Sequence, residues 1–126
     1  MPLASSTELN QAVATTGWGF ISIHSSSPST TGANEITGGS PAYARQAVTW
    51  GAPSNGVVSN TNALTFNLPS SASSPNNTAS HFGVWSASTA GTYYIGGALN
   101  GGTPIVNGAT QGTLTIAIGA LTVTAS

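Results

Sequence analysis

Charge is almost missing from this chain: of 126 residues only Glu8, Glu35 and Arg45 are charged, and neither Asp nor Lys occurs. Ordinary domains are about a quarter charged. A formal net charge of −1 leaves no basic face to neutralise phosphates, which speaks against nucleic acid as a partner, and removes the charge that keeps a free monomer apart from its neighbours. Permanent assembly is the expectation. Cysteine is also absent, so disulfides, thiolate metal sites and a Cys nucleophile are excluded. No run of about 18 apolar residues occurs, and the opening MPLASSTELNQAV lacks the basic and apolar regions of a signal peptide. The expectation is a protein made in a cytoplasm, without a membrane partner.

Hydroxyl groups take the place of charge. Ser and Thr together supply 36 residues, predicting a neutral coat whose contacts respond little to salt. Through most of the chain apolar residues alternate with polar ones at period two, broken by Gly, Pro, Asn and Ser clusters, as in all-β sandwiches and barrels. Candidate strands are Trp18 to His24, Tyr43 to Trp50, Val57 to Ser59, Leu64 to Leu68, His81 to Ser86, Thr92 to Leu99 and a C-terminal stretch beginning at Thr113. In that last stretch Leu114, Ile116 and Ile118 form one apolar face, and the apolar parity switches to Leu121 and Val123 across Gly119-Ala120. The chain must bulge, turn or change sheets there. Pro69 ends the strand before it, since it cannot donate to a ladder. Ser5 stands three residues before Glu8 ahead of Leu9, Ala12 and Val13, a capping-box pattern that predicts one short N-terminal helix. The length suits one domain, so residues 1–126 read as a single β-sandwich, jelly-roll or immunoglobulin-like, of seven to eight short strands plus that helix. The connections 25–41 and 70–80 have the composition of flexible linkers, yet they are expected to be held in place, by packing against neighbouring chains first, with crystal contacts or strong internal hydrogen bonding as the alternatives. No repeat, heptad or collagen period is present.

Groups able to do chemistry are few. His24, His81, Glu8 and Glu35 are the whole inventory apart from Tyr, and none has the spacing of a metal motif. His24 is expected to end a strand and His81 to begin one, each imidazole hydrogen-bonded at a sheet rim. With no Asp and no G-x-S-x-G elbow, a serine triad has little to stand on. The Gly38-Gly39, Gly96-Gly97 and Gly101-Gly102 pairs read as turns, since no Lys-Ser or dinucleotide fingerprint follows them. Asn76-Asn77-Thr78 matches a glycosylation acceptor but reads as a polar turn. Six Trp and Tyr residues (Trp18, Trp50, Trp85, Tyr43, Tyr93, Tyr94) could line a sugar platform, although core or interface packing is the usual fate of such rings. Tyr93 and Tyr94 should point to opposite faces. Arg45 can clamp a carboxylate bidentately, Glu35 or Glu8 of its own or a neighbouring chain. No catalytic, metal or cofactor residue is expected; the candidate interface residues are Leu3, Tyr43, Arg45, Trp50 and Tyr94.

The run TTGANEITGGSPAYARQAVTWGAPSNG at 30–56, with GGSPAYAR and the following AVTW as its most specific part, resembles small virion proteins of tailed phages of actinobacteria, often labelled tail fibre or minor structural proteins. WGFISIHSSSP, FGVWSASTAGTYYIGGAL at 82–99 and TLTIAIGALTVT are similar more loosely. The resemblance implies a non-enzymatic virion component. Because the chain lacks the repeats or stalk of a long fibre, the leading expectation is a capsid decoration protein. It would bind the major capsid protein as a homo-oligomer, a trimer favoured, through loops 25–41 and 70–80 and the arm Met1 to Thr7. The alternative is a tail fibre or baseplate-associated protein that binds host surface glycans.

Overall fold

A computed structural model describes residues 18–52, 57–100 and 103–124. The expected N-terminal helix, Glu8 and Leu3 lie outside them. Over the described residues the chain is all-β and antiparallel, with one single-turn 3-10 segment at Ser71–Ser73.

Its centre is β1 (Phe20–His24), where Ile21 and Ile23 alternate with Ser22 and His24 and all four are sealed from solvent. A strand buried on both faces needs partners on both edges. One edge pairs with β6 (His81–Trp85) over five residues, Phe20↔Trp85 to His24↔His81. The other pairs with β2 (Gln46–Ala47), which reaches only Phe20 and Ile21. Beyond β6 lies β7 (Tyr93–Ala98), giving the sheet order β2-β1-β6-β7. The register slips between Val84 and Trp85, which oppose Ile95 and Tyr93. The bulge leaves Tyr94 as an extra residue and keeps Tyr93 on the Trp85 face, so the two tyrosines do diverge.

Three two-stranded ladders complete the molecule: β4 (Leu64–Leu68) with β9 (Gly112–Ile116), β3 (Val57–Ser59) with β10 (Thr122–Thr124), and β5 (Thr78–Ala79) with β8 (Ile105–Val106). Leu64, Phe66 and Leu68 point inward and Thr65 outward, as period two requires. They meet Ile21, Ile23, Ile36, Val58, Phe82 and Val84 in one core, each fully buried aliphatic chain contributing about 1.5–3 kcal/mol. Tyr43 stacks on Phe66 at 6.3 Å.

Ten strands appear among the described residues rather than seven or eight. β2, β5 and β8 have two residues each, below the length at which alternation can be read. One further expectation fails. The C-terminal apolar face stops at Ile116: a turn with Gly119 at φ 79° sends the chain from the β4 ladder to the β3 ladder, and Ile118 is 66% exposed. The segments 25–41 and 70–80, linker-like in composition, carry internal hydrogen bonds, one of the alternatives to packing against neighbouring chains. In the first, Ser25 N–H donates to Asn34 O, Gly32 N–H to Pro28 O and Ile36 N–H to Ile23 O; in the second, Ser80 N–H donates to His24 O.

The faces of β1 and β6 differ in kind. On the side away from the core, Ser22, His24, Gly83, Trp85 and Tyr93 are packed so closely that a Cβ at Gly83 would meet Ser22 Oγ at 2.6 Å, His24 Nε2 at 2.9 Å and Tyr93 Cε1 at 3.0 Å. Gly83→Ala is therefore expected to lower unfolding stability by about 1–3 kcal/mol, whereas Gly108→Ala, with nothing within 4 Å, should stay within about 0.5 kcal/mol of the parent. Urea melts of both variants test this, and equal midpoints would contradict the packing described.

Candidate functional site

β2 is too short to cover β1, so the backbone of Ile23 would be bare on that edge. Two loop groups stand in for the missing strand. Ile36 N–H donates to Ile23 O at 3.0 Å, and Ile23 N–H donates to the Tyr43 hydroxyl at 2.9 Å. The same pairing sets Glu35 opposite His24 as a β-bridge, which brings the Glu35 carboxylate to Tyr43 and Arg45.

Tyr43 Oη donates to Glu35 Oε2 at 2.8 Å, while Arg45 grips both carboxylate oxygens, Nε to Oε2 and Nη2 to Oε1, at 2.9 Å each. Nη1 donates to the Ala87 and Ala90 carbonyls at 3.0 and 2.8 Å. The guanidinium carbon lies 3.6 Å from the Trp85 ring centroid, a cation–π geometry. Tyr93 meets Trp85 edge-on at 5.3 Å. Gly32, at φ +78°, abuts the Trp85 ring so tightly that no side chain fits there. Side-chain exposure is 8% for Arg45 and 21% for Glu35.

Beneath the ring runs a directional relay. Trp85 Nε1–H donates to Ser22 Oγ at 2.8 Å, Ser22 Oγ lies 2.6 Å from His24 Nε2, and His24 Nδ1 lies 2.6 Å from Ala33 O. A carbonyl only accepts, so Nδ1 carries a proton, and because burial disfavours the charged ring, Nε2 is left to accept from Ser22. Burial pushes His24 below its ordinary pKa, against opposing pulls from the Ala33 carbonyl and the Glu35 charge. Burial, and then the Glu35 charge, push the Tyr43 hydroxyl well above its ordinary value; burial also raises Tyr93. A serine and a histidine in contact suggest a nucleophile and its base, but both are 0% exposed and the third partner is a carbonyl.

The sequence candidates divide into two places. Tyr43 and Arg45 share the cluster just described, and the Arg45 pair is made within the chain. Trp50 and Tyr94 sit with Trp18, the rings 6.1 and 6.4 Å from it, and Trp50 Nε1–H donates to Trp18 O at 2.7 Å. Trp18 and Trp85 are buried and the other four rings half-buried. His24 ends β1 as expected but is buried, not at a rim; His81 opens β6, half-buried, with Nδ1 2.8 Å from Ser80 Oγ. Among the described residues no three His, Asp or Glu side chains gather as a metal site. Sequence reasoning missed Ser22, Gly32 and Trp85 as members of the cluster. The S-x-H spacing on one strand was the available signal for Ser22, since alternate residues share a face.

Over the ion pair opens a cleft of about 260 Å³, lined by Glu35, Arg45, Tyr43, Thr37, Ser88 and Thr89 among others. It is the place where charge, hydroxyls and a rigid wall coincide.

Compared with known protein families, residues 6–124 match the family described as Podophage GP4 fiber I protein gp80. No curated protein matches the chain.

Two outcomes are expected from this geometry. Arg45→Met leaves the Glu35 carboxylate without its partner and should cost about 3 kcal/mol, the low end for breaking a buried pair. Arg45→Lys should recover little, because an ammonium cannot reproduce the bidentate fork; full stability of either variant in urea melts would show that the pair is dispensable. For His24, the folded pKa lies below the unfolded value of 6.5, so the unfolded chain takes up a proton first as pH falls. This contribution is complete above about pH 6.5 and declines below it, by at most about 1.4 kcal/mol per pH unit. Urea melts across that range, with the His24 ring protons followed by NMR, check it; an imidazole titrating at or above 6.5 in the folded chain would contradict the relay.

Proposed function

The chain belongs to the Podophage GP4 fiber I protein gp80 family, and from that premise we propose that it serves as a fibre component of a phage virion, attaching to host surface glycans. The observation that carries this is the match over residues 6–124, nearly the whole chain. The chemistry agrees. Within the described residues the one ion pair is turned inward, so the outer surface is left to hydroxyls, amides and backbone, which suit an uncharged polyol better than an ionic partner. We place the protein as non-enzymatic, a view supported by the burial of the Ser22–His24 pair. It assembles with further copies of itself, a trimer being the favoured number, as a sandwich in which the two-stranded ladders pack against the four-stranded sheet.

The capsid decoration reading, with the major capsid protein as partner, draws on the lack of repeats or a stalk in the sequence. It ranks second because the family match names a fibre. Quantitative mass spectrometry of purified virions, with gold-labelled antibody in electron microscopy, separates the two. A copy number far below that of the major capsid protein, with label at the tail, is expected. Near-stoichiometric copies with label over the head would overturn the fibre assignment.

A further inference from the structure

We infer that the cleft over the Glu35–Arg45 pair is a sugar-hydroxyl site, a deepening that rests on the glycan-binding reading above. The argument is a count of hydrogen-bonding capacity. A guanidinium has five N–H donors and an ionised carboxylate about four acceptor positions. Arg45 uses four donors: one to each Glu35 oxygen, one to Ala87 O and one to Ala90 O. Five less four leaves one, on Nη2. Glu35 accepts three bonds, two at Oε2 from Tyr43 and Arg45 and one at Oε1 from Arg45. Four less three leaves one acceptor position, on Oε1. The spare donor and the spare acceptor therefore belong to the two atoms of a single hydrogen bond, 2.9 Å apart. In a side-on pair the unused Nη2–H and the unused Oε1 lone pair diverge from that bond, so two hydroxyls on non-adjacent carbons of one sugar ring, one accepting and one donating, can satisfy both at once.

The wall is preorganised. Arg45 is fixed by four hydrogen bonds and by the Trp85 face, Glu35 by Arg45 and Tyr43, so little side-chain freedom is left to lose on binding. Around the pair, Thr37, Ser88 and Thr89 line the cleft and are exposed or half-buried, adding neutral donors and acceptors for further hydroxyls. Internal neutralisation of the pair disfavours a charged ligand: a phosphate or carboxylate would meet the Glu35 charge, and an ammonium the guanidinium. The volume of about 260 Å³, just below the usual range of ligand pockets, suits a single sugar ring rather than a long chain.

The test is NMR of the 15N-labelled full chain titrated with the methyl glycosides of glucose, galactose, mannose and N-acetylglucosamine. Weak, millimolar binding is expected, with shifts at Thr37, Gly38, Ser88 and Thr89 amides and at the Arg45 Nε–H signal. Thr89→Trp, which fills the cleft from an exposed loop position, should weaken binding by about tenfold or more. Ser88→Ala should weaken it less, and guards against a folding fault in the bulkier variant. Shifts confined to the Trp18, Trp50 and Tyr94 region would overturn this site and leave the glycan reading standing. No shift with any glycoside, and none with oligosaccharides on a glycan array, would overturn both.

Discussion

The arginine stacked on Trp85 is the constraint around which the polar half of the molecule is arranged. Its four hydrogen bonds join three separate segments: Glu35 from the connection after β1, Arg45 itself just before β2, and Ala87 and Ala90 from the turn between β6 and β7. Taking a guanidinium and a carboxylate out of water is costly, and the mutual attraction repays that cost only with good geometry and further hydrogen bonds. Both conditions are met here, with a bidentate pair, two carbonyls, a tyrosine hydroxyl and an aromatic face. The absence of Cβ at Gly32 lets the long connection close against the same ring. Glycine is demanded there twice over, by the positive φ and by the contact.

A second device replaces strand length. Three of the ten described strands have only two residues, so many backbone groups find no ladder partner and must be satisfied otherwise. Asparagine amides do this. Asn60, 1% exposed, donates Nδ2–H to Asn62 O and Ala117 O and accepts from Leu121 N–H through Oδ1, pinning the turn between β9 and β10. Asn107 reaches Leu68 O, Pro69 O and Thr110 O, and Asn62 serves Thr49 N–H and Ala47 O. Tyr43 does the same for Ile23. Short amides can occupy these positions because they present a donor and an acceptor with the geometry of a peptide group. No buried side-chain polar atom among the described residues lacks a partner. The hydroxyl- and amide-rich composition is thus only partly a coat; a share of it is interior structure.

That division explains what could be read beforehand. Strands β1, β4 and β6 were legible within a residue or two because alternating Ile, Leu, Phe or Val side chains are buried in them, and β3 and β7 because β-branched and aromatic residues stand between turn signals, although each buries only one side chain, Val58 or Ile95. β2, β5 and β8 were not, since a two-residue strand has no period. Leu121 and Val123 signalled the change of ladder through their parity, whereas Ile118 misled, because periodicity continues through a turn that only a backbone amide count or Asn60 reveals. At the site, Arg45 and Glu35 stood out by scarcity alone: a lone cation seeks a carboxylate. Their meeting with Ser22, His24 and Trp85 depends on the β1–β6 register and on the path of residues 25–37, which no local pattern encodes. The run GGSPAYAR contains Tyr43 and Arg45 themselves, so the most distinctive stretch of the sequence also contributes to the cluster.

Scarcity of charge has a further consequence for how such a protein could recognise anything. Without a field to steer encounters, association proceeds at the slower rates of neutral surfaces, and hydroxyl recognition in an open cleft yields modest affinity per site. On the proposed reading of a multicopy fibre component, repetition rather than tighter contacts makes good both deficits. Copies fixed on one particle turn every binding event after the first into an intramolecular one, raising avidity by about 10²–10⁴ without a new contact. On the proposed reading, a rigid wall matters more than a strong one: a site held by Arg45, Tyr43 and Trp85 presents the same geometry in every copy, which is what simultaneous engagement requires. A neutral exterior is compatible with this, since its contacts neither weaken with salt nor attract the charged polymers that would compete for a virion surface.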